Sequence, residues 1–215
     1  MLSKGQETRE RIVELAAPIF NQKGYAGTAL SDLMEATGLE KGGIYRHFGS
    51  KQELAGEAFD HAWKIAMETR FAGTDEIPNA VDRLEQIVLN FRDRRTGLVP
   101  GGCPLLNTAC DADDSNSELR AKARQALGEW LNRLQSIVEE GQRRGDVLRN
   151  VDSEKLAALI VSTLEGSLAL SRLQKSLEPL DVACAHLSEY LDTKVRAPQT
   201  RTGTFATPSR PKTRR

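Results

Sequence analysis

The sequence contains no apolar run of membrane-spanning length, and its first residues lack the hydrophobic stretch of a secretion signal. The membrane therefore drops out as an expected partner, and the cytoplasm is the expected location. Cysteine is scarce. Three cysteines, an odd number at unrelated spacings, do not make a disulfide framework. Histidine occurs only at 47, 61 and 186, too scattered for a metal site, so no metal and no cofactor are expected. Strand-like alternation and internal repeats are missing as well. Net charge is also lacking, with 30 Lys/Arg against 30 Asp/Glu. That balance would argue against a nucleic-acid partner if it were uniform, and it is not. Residues 1–51 hold seven basic and six acidic side chains, residues 52–193 hold 16 and 24, and residues 194–215 hold seven basic and no acidic. An acidic body with basic ends leaves room for an anion at the ends.

What is present is helix. At 215 residues and 39% hydrophobic content the chain can bury one good core or two small ones. Ile12, Leu15, Ala16, Ile19 and Phe20 recur at spacings of three and four, which predicts a first helix from about Glu7 to Lys23, stopped by Gly24. Pro18 lies inside it, and an interior proline predicts a bend. Ser50-Lys-Gln-Glu53 is a capping box that starts a helix near Lys51 and carries it towards Phe71. Gly73 to Pro78 marks a boundary by composition. Beyond it the periodicity predicts helices over Ala80–Arg94, Pro104–Cys110, Glu118–Arg144, 152–174 and Pro179–Leu191. The stretch from Lys194 is rich in Pro, Thr, Gly and Arg and almost without apolar residues, which predicts a disordered basic tail over 194–215.

Residues 28–51 carry the most information. Leu30, Leu33 and Met34 form one apolar face, Gly38 breaks it, and Leu39, Ile44, Tyr45 and Phe48 resume it. Two short helices around a glycine turn make a helix-turn-helix, whose second helix enters a DNA major groove. Gly42-Gly43 costs helix stability, roughly 1 kcal/mol per glycine. Such a pair suits a backbone that approaches a phosphate or groove wall closely.

This stretch resembles the DNA-binding domain of the TetR/AcrR family of bacterial transcription regulators. The resemblance begins at Thr8-Arg-Glu-Arg-Ile-Val-Glu-Leu-Ala-Ala17 and Phe20-Asn-Gln-Lys-Gly-Tyr25. It continues through Lys41-Gly-Gly-Ile-Tyr-Arg-His-Phe48 and Ser50-Lys-Gln-Glu-Leu54. It implies an all-α fold, with an N-terminal three-helix helix-turn-helix domain before a larger helical ligand-binding and dimerisation domain. On that reading residues 1–51 bind DNA, 52–74 form a connector helix, and 75–193 bind ligand and dimerise. The expected partners are a double-stranded DNA operator, a second copy of the chain, and a small-molecule inducer.

The expected DNA-binding residues are Thr28, Thr37, Lys41, Gly42, Gly43, Tyr45, Arg46, His47 and Lys51. Lys41 and Arg46 can donate to phosphates or guanine edges; Tyr45 and His47 match phosphate-contacting positions of the family motif. The expected ligand-binding residues are Phe91, Leu98, Cys103, Leu105, Leu106, Trp130, Leu134, Leu164 and Leu168, each with plain core packing as its alternative. Cys103 lies in Gly101-Gly-Cys-Pro-Leu105, ahead of a helix whose dipole would lower its pKa and make it a sensor of oxidants or electrophiles. The alternative is a small residue buried at a turn. Leu156, Leu159, Ile160, Val161, Leu164, Leu168 and Leu170 nearly encircle their helix, so it must be covered on several sides, as in a two-fold four-helix bundle. The function expected is a ligand-responsive repressor, released from a palindromic operator by a small molecule or a reactive species. Two alternatives stand beside it: an all-helical enzyme with Cys103 as nucleophile, and a ligand-binding protein with a vestigial helix-turn-helix. Against the enzyme, the sequence offers no acid/base constellation and no histidine near Cys103.

Overall fold

The structure is a computed structural model, and it describes residues 3–93, 99–112 and 115–198. These form α1 (Lys4–Gly27), α2 (Leu30–Thr37), α3 (Lys41–Tyr45), α4 (Lys51–Arg70), α5 (Ala80–Arg92), α6 (Pro104–Ala112), α7 (Ser117–Arg144), α8 (Ser153–Gln174) and α9 (Glu178–Tyr190). A π turn, Leu191–Val195, follows α9. Among the described residues there is no strand, and a single isolated bridge joins Val147 to Arg196. The protein is all-α.

α1 starts on a capping box, in which Ser3 and Gln6 satisfy each other's backbone N–H groups. The helix passes through Pro18 with helical dihedrals. Its break comes at Gly24, at φ 72° and ψ 172°, a conformation open to glycine alone. A Cβ there would also lie 2.6 Å from the Asp111 carboxylate. Thr28, just ahead of α2, does not cap it. It is buried and donates to the Gly24 carbonyl. The cap comes instead from Asp32, which accepts from the Ala29 N–H. Lys23, 2.7 Å away, and that N–H hold the Asp32 carboxyl below the usual carboxylate range.

Two cores form, and α4 belongs to both. Leu54, Ala58 and Ala62, spaced by four, pack with Ile12, Ala16, Leu33, Ile44 and Phe48 in the first. Phe59, Trp63, Ala66 and Met67 turn a different face of α4 into the second, made with α5 to α9. A helix buried on two faces needs apolar residues beyond one stripe, and α4 has them.

A second link joins the two halves. The Asn21 side-chain amide, buried on α1, donates to the carbonyls of Pro100 and Gly102 at 3.0 and 3.1 Å. Asn107 on α6 donates to the Asn21 carbonyl and to the Asn21 Oδ1. Asp111 accepts from the Tyr25 N–H at 2.7 Å. Gly102 sits at φ 98°, where a residue with a side chain is strained, and a Cβ there would also push the Arg172 guanidinium aside. Gly102→Ala is therefore expected to destabilise the protein by about 1–3 kcal/mol in urea unfolding. Unchanged stability would show that the 100–102 turn tolerates another backbone path.

Two expectations need correction. α8 is long and apolar enough to cross a membrane by length and composition, although the sequence reading found no such segment. Half of its most apolar stretch is buried inside the protein. The proposed disordered tail does not begin at Lys194. Val195 is buried, and Arg196 pairs with Asp82, Glu85 and Asp192 at 2.7–3.2 Å. Its apolar anchor is one valine, too little to register against the surrounding composition. The rest of that tail, 199–215, lies outside the described residues.

Candidate DNA interface and ligand site

α2 and α3 meet at Gly38, whose N–H donates to the Met34 carbonyl and ends α2. Ile44 and Phe48 face inward and are buried. That leaves Lys41, Gly42 and Arg46 exposed on one outward face of the α3 segment. Among the described residues neither Lys41 nor Arg46 has an ion-pair partner, so both cations are available to an anion. Tyr45 and His47 are half-buried beside them. Thr37 is half-buried at the end of α2 and donates to the Leu33 carbonyl.

The glycine pair divides. A Cβ on Gly42 would meet nothing within 4 Å, whereas one on Gly43 would lie 3.3 Å from the Leu39 Cβ. Gly42 is thus the member that offers bare backbone to a partner, and Gly43 makes room for Leu39. Gly43→Val is expected to loosen the helix-turn-helix itself, by about 1–3 kcal/mol. Gly42→Ala should leave stability equal or slightly higher. Thermal unfolding of the two variants separates these roles; equal losses at both positions would contradict the division.

Thr28 and Lys51 both make contacts inside the protein. Thr28 faces the domain interior. Lys51 donates to the Tyr25 carbonyl at 2.6 Å and lies 4.4 Å from the Tyr25 ring centre, tying the start of α4 to the end of α1. Arg9 makes a parallel tie to Glu53 and Glu57, to the His47 carbonyl, and to the face of Phe48. The helix-turn-helix is thereby fastened to the first turns of α4.

At the other end of α4 stands a group absent from the sequence reading. Arg70, 2% exposed, is the last residue of α4. Its Cζ lies 4.0 Å from the Trp130 ring centre, 5.0 Å from that of Trp63 and 5.1 Å from that of Phe91. Its Nη2 donates to Glu165 Oε1 at 3.2 Å and to Cys103 Sγ at 3.1 Å. The Cys103 thiol donates to the same Glu165 oxygen at 2.8 Å. Burial pushes the Cys103 thiol up to about 12, and burial likewise raises Glu165 above the usual carboxylate range against the pull of Arg70. The expected low-pKa thiolate is therefore corrected. Cys103 is buried at the turn, its desolvation outweighs both the helix N-terminus and Arg70, and it stays protonated at neutral pH. The exposed thiol among the three is Cys110.

Arg70, Phe91, Cys103 and Leu168 line a small cavity together with Thr69 and Asn90, and Trp130 stacks behind it on Phe91. Four expected ligand residues thus converge on Arg70. Leu105, Leu134 and Leu164 are core residues, Leu106 packs partly buried against the same core, and Leu98 lies outside the described residues. Arg70 and Glu165 left a trace in the sequence. Arg70 continues the buried spacing Phe59, Trp63, Ala66, and Glu165 sits among Val161, Leu164 and Leu168. A charge on an apolar helical face is the signal.

The outer face of α8 and α9 carries a different feature. Leu159, Leu170, Leu173 and Val182 are 41–82% exposed. On α8 they lie at helical spacing with Ser162 and Gly166, and a Cβ on Gly166 would meet nothing within 4 Å. Leu164 and Leu168, by contrast, point into their own core at 0% and 3%.

Comparison with known proteins agrees with this arrangement at both ends. Residues 12–58 match the family model described as bacterial regulatory proteins, tetR family, and residues 80–187 match the tetracyclin repressor-like C-terminal domain. The chain is 45% identical to a TetR transcriptional regulator from Chloroflexus aurantiacus J-10-FL, with a TM-score of 0.87 over 92% of this chain and 100% of that one. It is 33% identical to a TetR-family regulator from Cytophaga hutchinsonii, also at 0.87, over 93% and 100%. It is 24% identical to the HTH-type transcriptional repressor DhaR of Mycobacterium sp. strain GP1 across 80% of this chain and 86% of that protein.

Proposed function

The chain belongs to the TetR family of bacterial transcriptional regulators, and we propose from that premise how its parts divide the work. It is a ligand-responsive, DNA-binding regulator that dimerises, and not an enzyme. Residues 1–51 read the operator, residues 52–74 connect, and residues 75–193 bind the ligand and pair with a second copy. The protein acts in the cytoplasm as a repressor that leaves a roughly palindromic operator when a small molecule binds.

The observation that carries this reading is the outward face of α3. Lys41 and Arg46 supply cations with no ion-pair partner among the described residues, and Gly42 lets the backbone approach. Tyr45, His47 and Thr37 flank them. Lys51 and Thr28 serve the reading head by fastening it. The exposed Leu159, Leu170, Leu173 and Val182 supply the two-fold contact, while Leu164 and Leu168 of the same helix face their own core. Two-fold symmetry of the protein imposes two-fold symmetry on the operator.

Fluorescence anisotropy with the DNA upstream of the chain's own gene tests the reading. Salt-sensitive binding is expected, and Arg46→Ala should weaken it by about tenfold or more and lower the salt slope by about one. Lys51→Ala should act chiefly through thermal stability. Operator affinity that ignored salt and Arg46 alike would sink the assignment of α3.

A further inference from the structure

We propose that Arg70, which lines the cavity between α4, α5 and α8, forms with its neighbours Trp130 and Glu165 the receptor for a small aromatic carboxylate. The inference rests on the regulator reading above and names the chemistry of its ligand.

The first support is a surplus of donors. Arg70 Nε, Arg70 Nη1 and Trp130 Nε1 are buried N–H groups with no hydrogen-bond partner in the protein among the described residues. Buried polar groups are nearly always partnered, so these donors, two on Arg70 and one on Trp130, whose ring centre lies 4.0 Å from the Arg70 Cζ, call for acceptors. On the acceptor side the same neighbourhood has one buried oxygen without a partner, Glu165 Oε2. A carboxylate brings two oxygens with about four lone-pair sites and suits a guanidinium better than a neutral acceptor does. An ammonium ligand would leave all three donors unmet.

The second support is shape. Phe91 and Trp130 stack with ring planes 14° apart, and Trp63 meets Trp130 edge-on at 6.1 Å. A flat aromatic group attached to the carboxylate extends that stack. The third is charge balance. The charged or titratable groups facing Glu165 are Arg70 on α4 and the Cys103 thiol ahead of α6. With its carboxyl already held above the usual range by burial, Glu165 can take up a proton when a second anion reaches Arg70.

The cavity measures about 10 Å³, room for about one water. A ligand therefore enters only if Arg70 or its neighbours yield. Arg70 closes α4, and the first turn of α4 holds the reading head through Lys51 and Tyr25, so a displaced Arg70 acts on the connector directly.

The test uses the full chain and three probes of one shape: benzoate, benzamide and benzylamine, each at millimolar concentration. Calorimetric titration and thermal shift are expected to show benzoate binding, with at least a tenfold preference over the other two. Trp130→Phe keeps the ring and removes one donor, and Arg70→Lys keeps the charge and removes the planar fork. Each is expected to weaken benzoate by about tenfold while circular dichroism reports an unchanged fold. No benzoate binding, equal binding of benzamide, preference for benzylamine, or unchanged affinity in both variants overturns the proposal. Operator affinity is measured in parallel. Operator binding without benzoate binding refutes this site alone, whereas benzoate binding in a protein with no operator affinity refutes the regulator reading and leaves the site standing.

Discussion

A Leu170→Arg, Leu173→Arg variant is expected to sediment as a folded monomer near 23.7 kDa. Both side chains face outward, at 52% and 82% exposure, so the substitutions leave the protein's own core untouched. In a dimer built on this face each arginine would have to be desolvated against apolar partners, at several kcal/mol per ion. The dimer dissociation constant should rise by about a hundredfold or more, and operator affinity should fall with it because two half-sites are no longer bound together. A dimer of unchanged strength would move the interface off α8. Leu164→Arg is the contrasting case. Leu164 is fully buried, so it should unfold the larger core instead of splitting the dimer, and circular dichroism tells the two outcomes apart.

Removing one partner of the buried Arg70–Glu165 pair is the second large effect. Glu165→Leu leaves a guanidinium without its anion inside three aromatic rings, and the loss should be about 3–5 kcal/mol in urea unfolding. An Arg70→Met, Glu165→Leu variant removes both charges and should recover most of it. If the double variant were as unstable as the sum of the singles, the two charges would not be coupled. The sign of the pH dependence follows from the raised Glu165 carboxyl. The folded state holds a proton that the unfolded state has already released, so folding takes up a proton as pH passes above the ordinary carboxylate value. The stability this gives is present at lower pH and is lost as pH rises through the folded value. Glu165→Gln should remove that decline, and a profile that kept it would assign it to another group.

The helices were legible in the sequence because each buries one face of a 3.6-residue repeat. The periodicity of Val81, Leu84, Ile87, Val88 and Phe91 belongs to the local chain, and α5 covers that span. The α2–Gly38–α3 stretch was legible for the same reason, with an ordered family motif laid over it. Lys41, Gly42 and Arg46 remain outward in the structure because Ile44 and Phe48, at fixed spacing from them, turn inward. What the sequence could not assign was which of two chemically similar residues meets the distant partner. Leu164 and Leu170 look alike on one helix, yet one is fully buried and the other half-exposed, because the rotation of α8 is set by α7 and α9. Gly42 and Gly43 differ only because Leu39 comes back against one of them. Thr28 and Lys51 carry groups suited to DNA, and only the fold shows that they also reach the Gly24 and Tyr25 carbonyls. Cys103 shows the limit most clearly. Its neighbours in sequence predict a reactive thiolate, and its neighbours in space, the Glu165 carboxylate and a dry core, keep it a thiol. Local pattern determines which segments coil and which face is apolar, since those depend on residues a few positions apart. The electrostatics of a buried group depend on what α4, α6 and α8 bring together from 95 positions apart, and only the tertiary structure decides that.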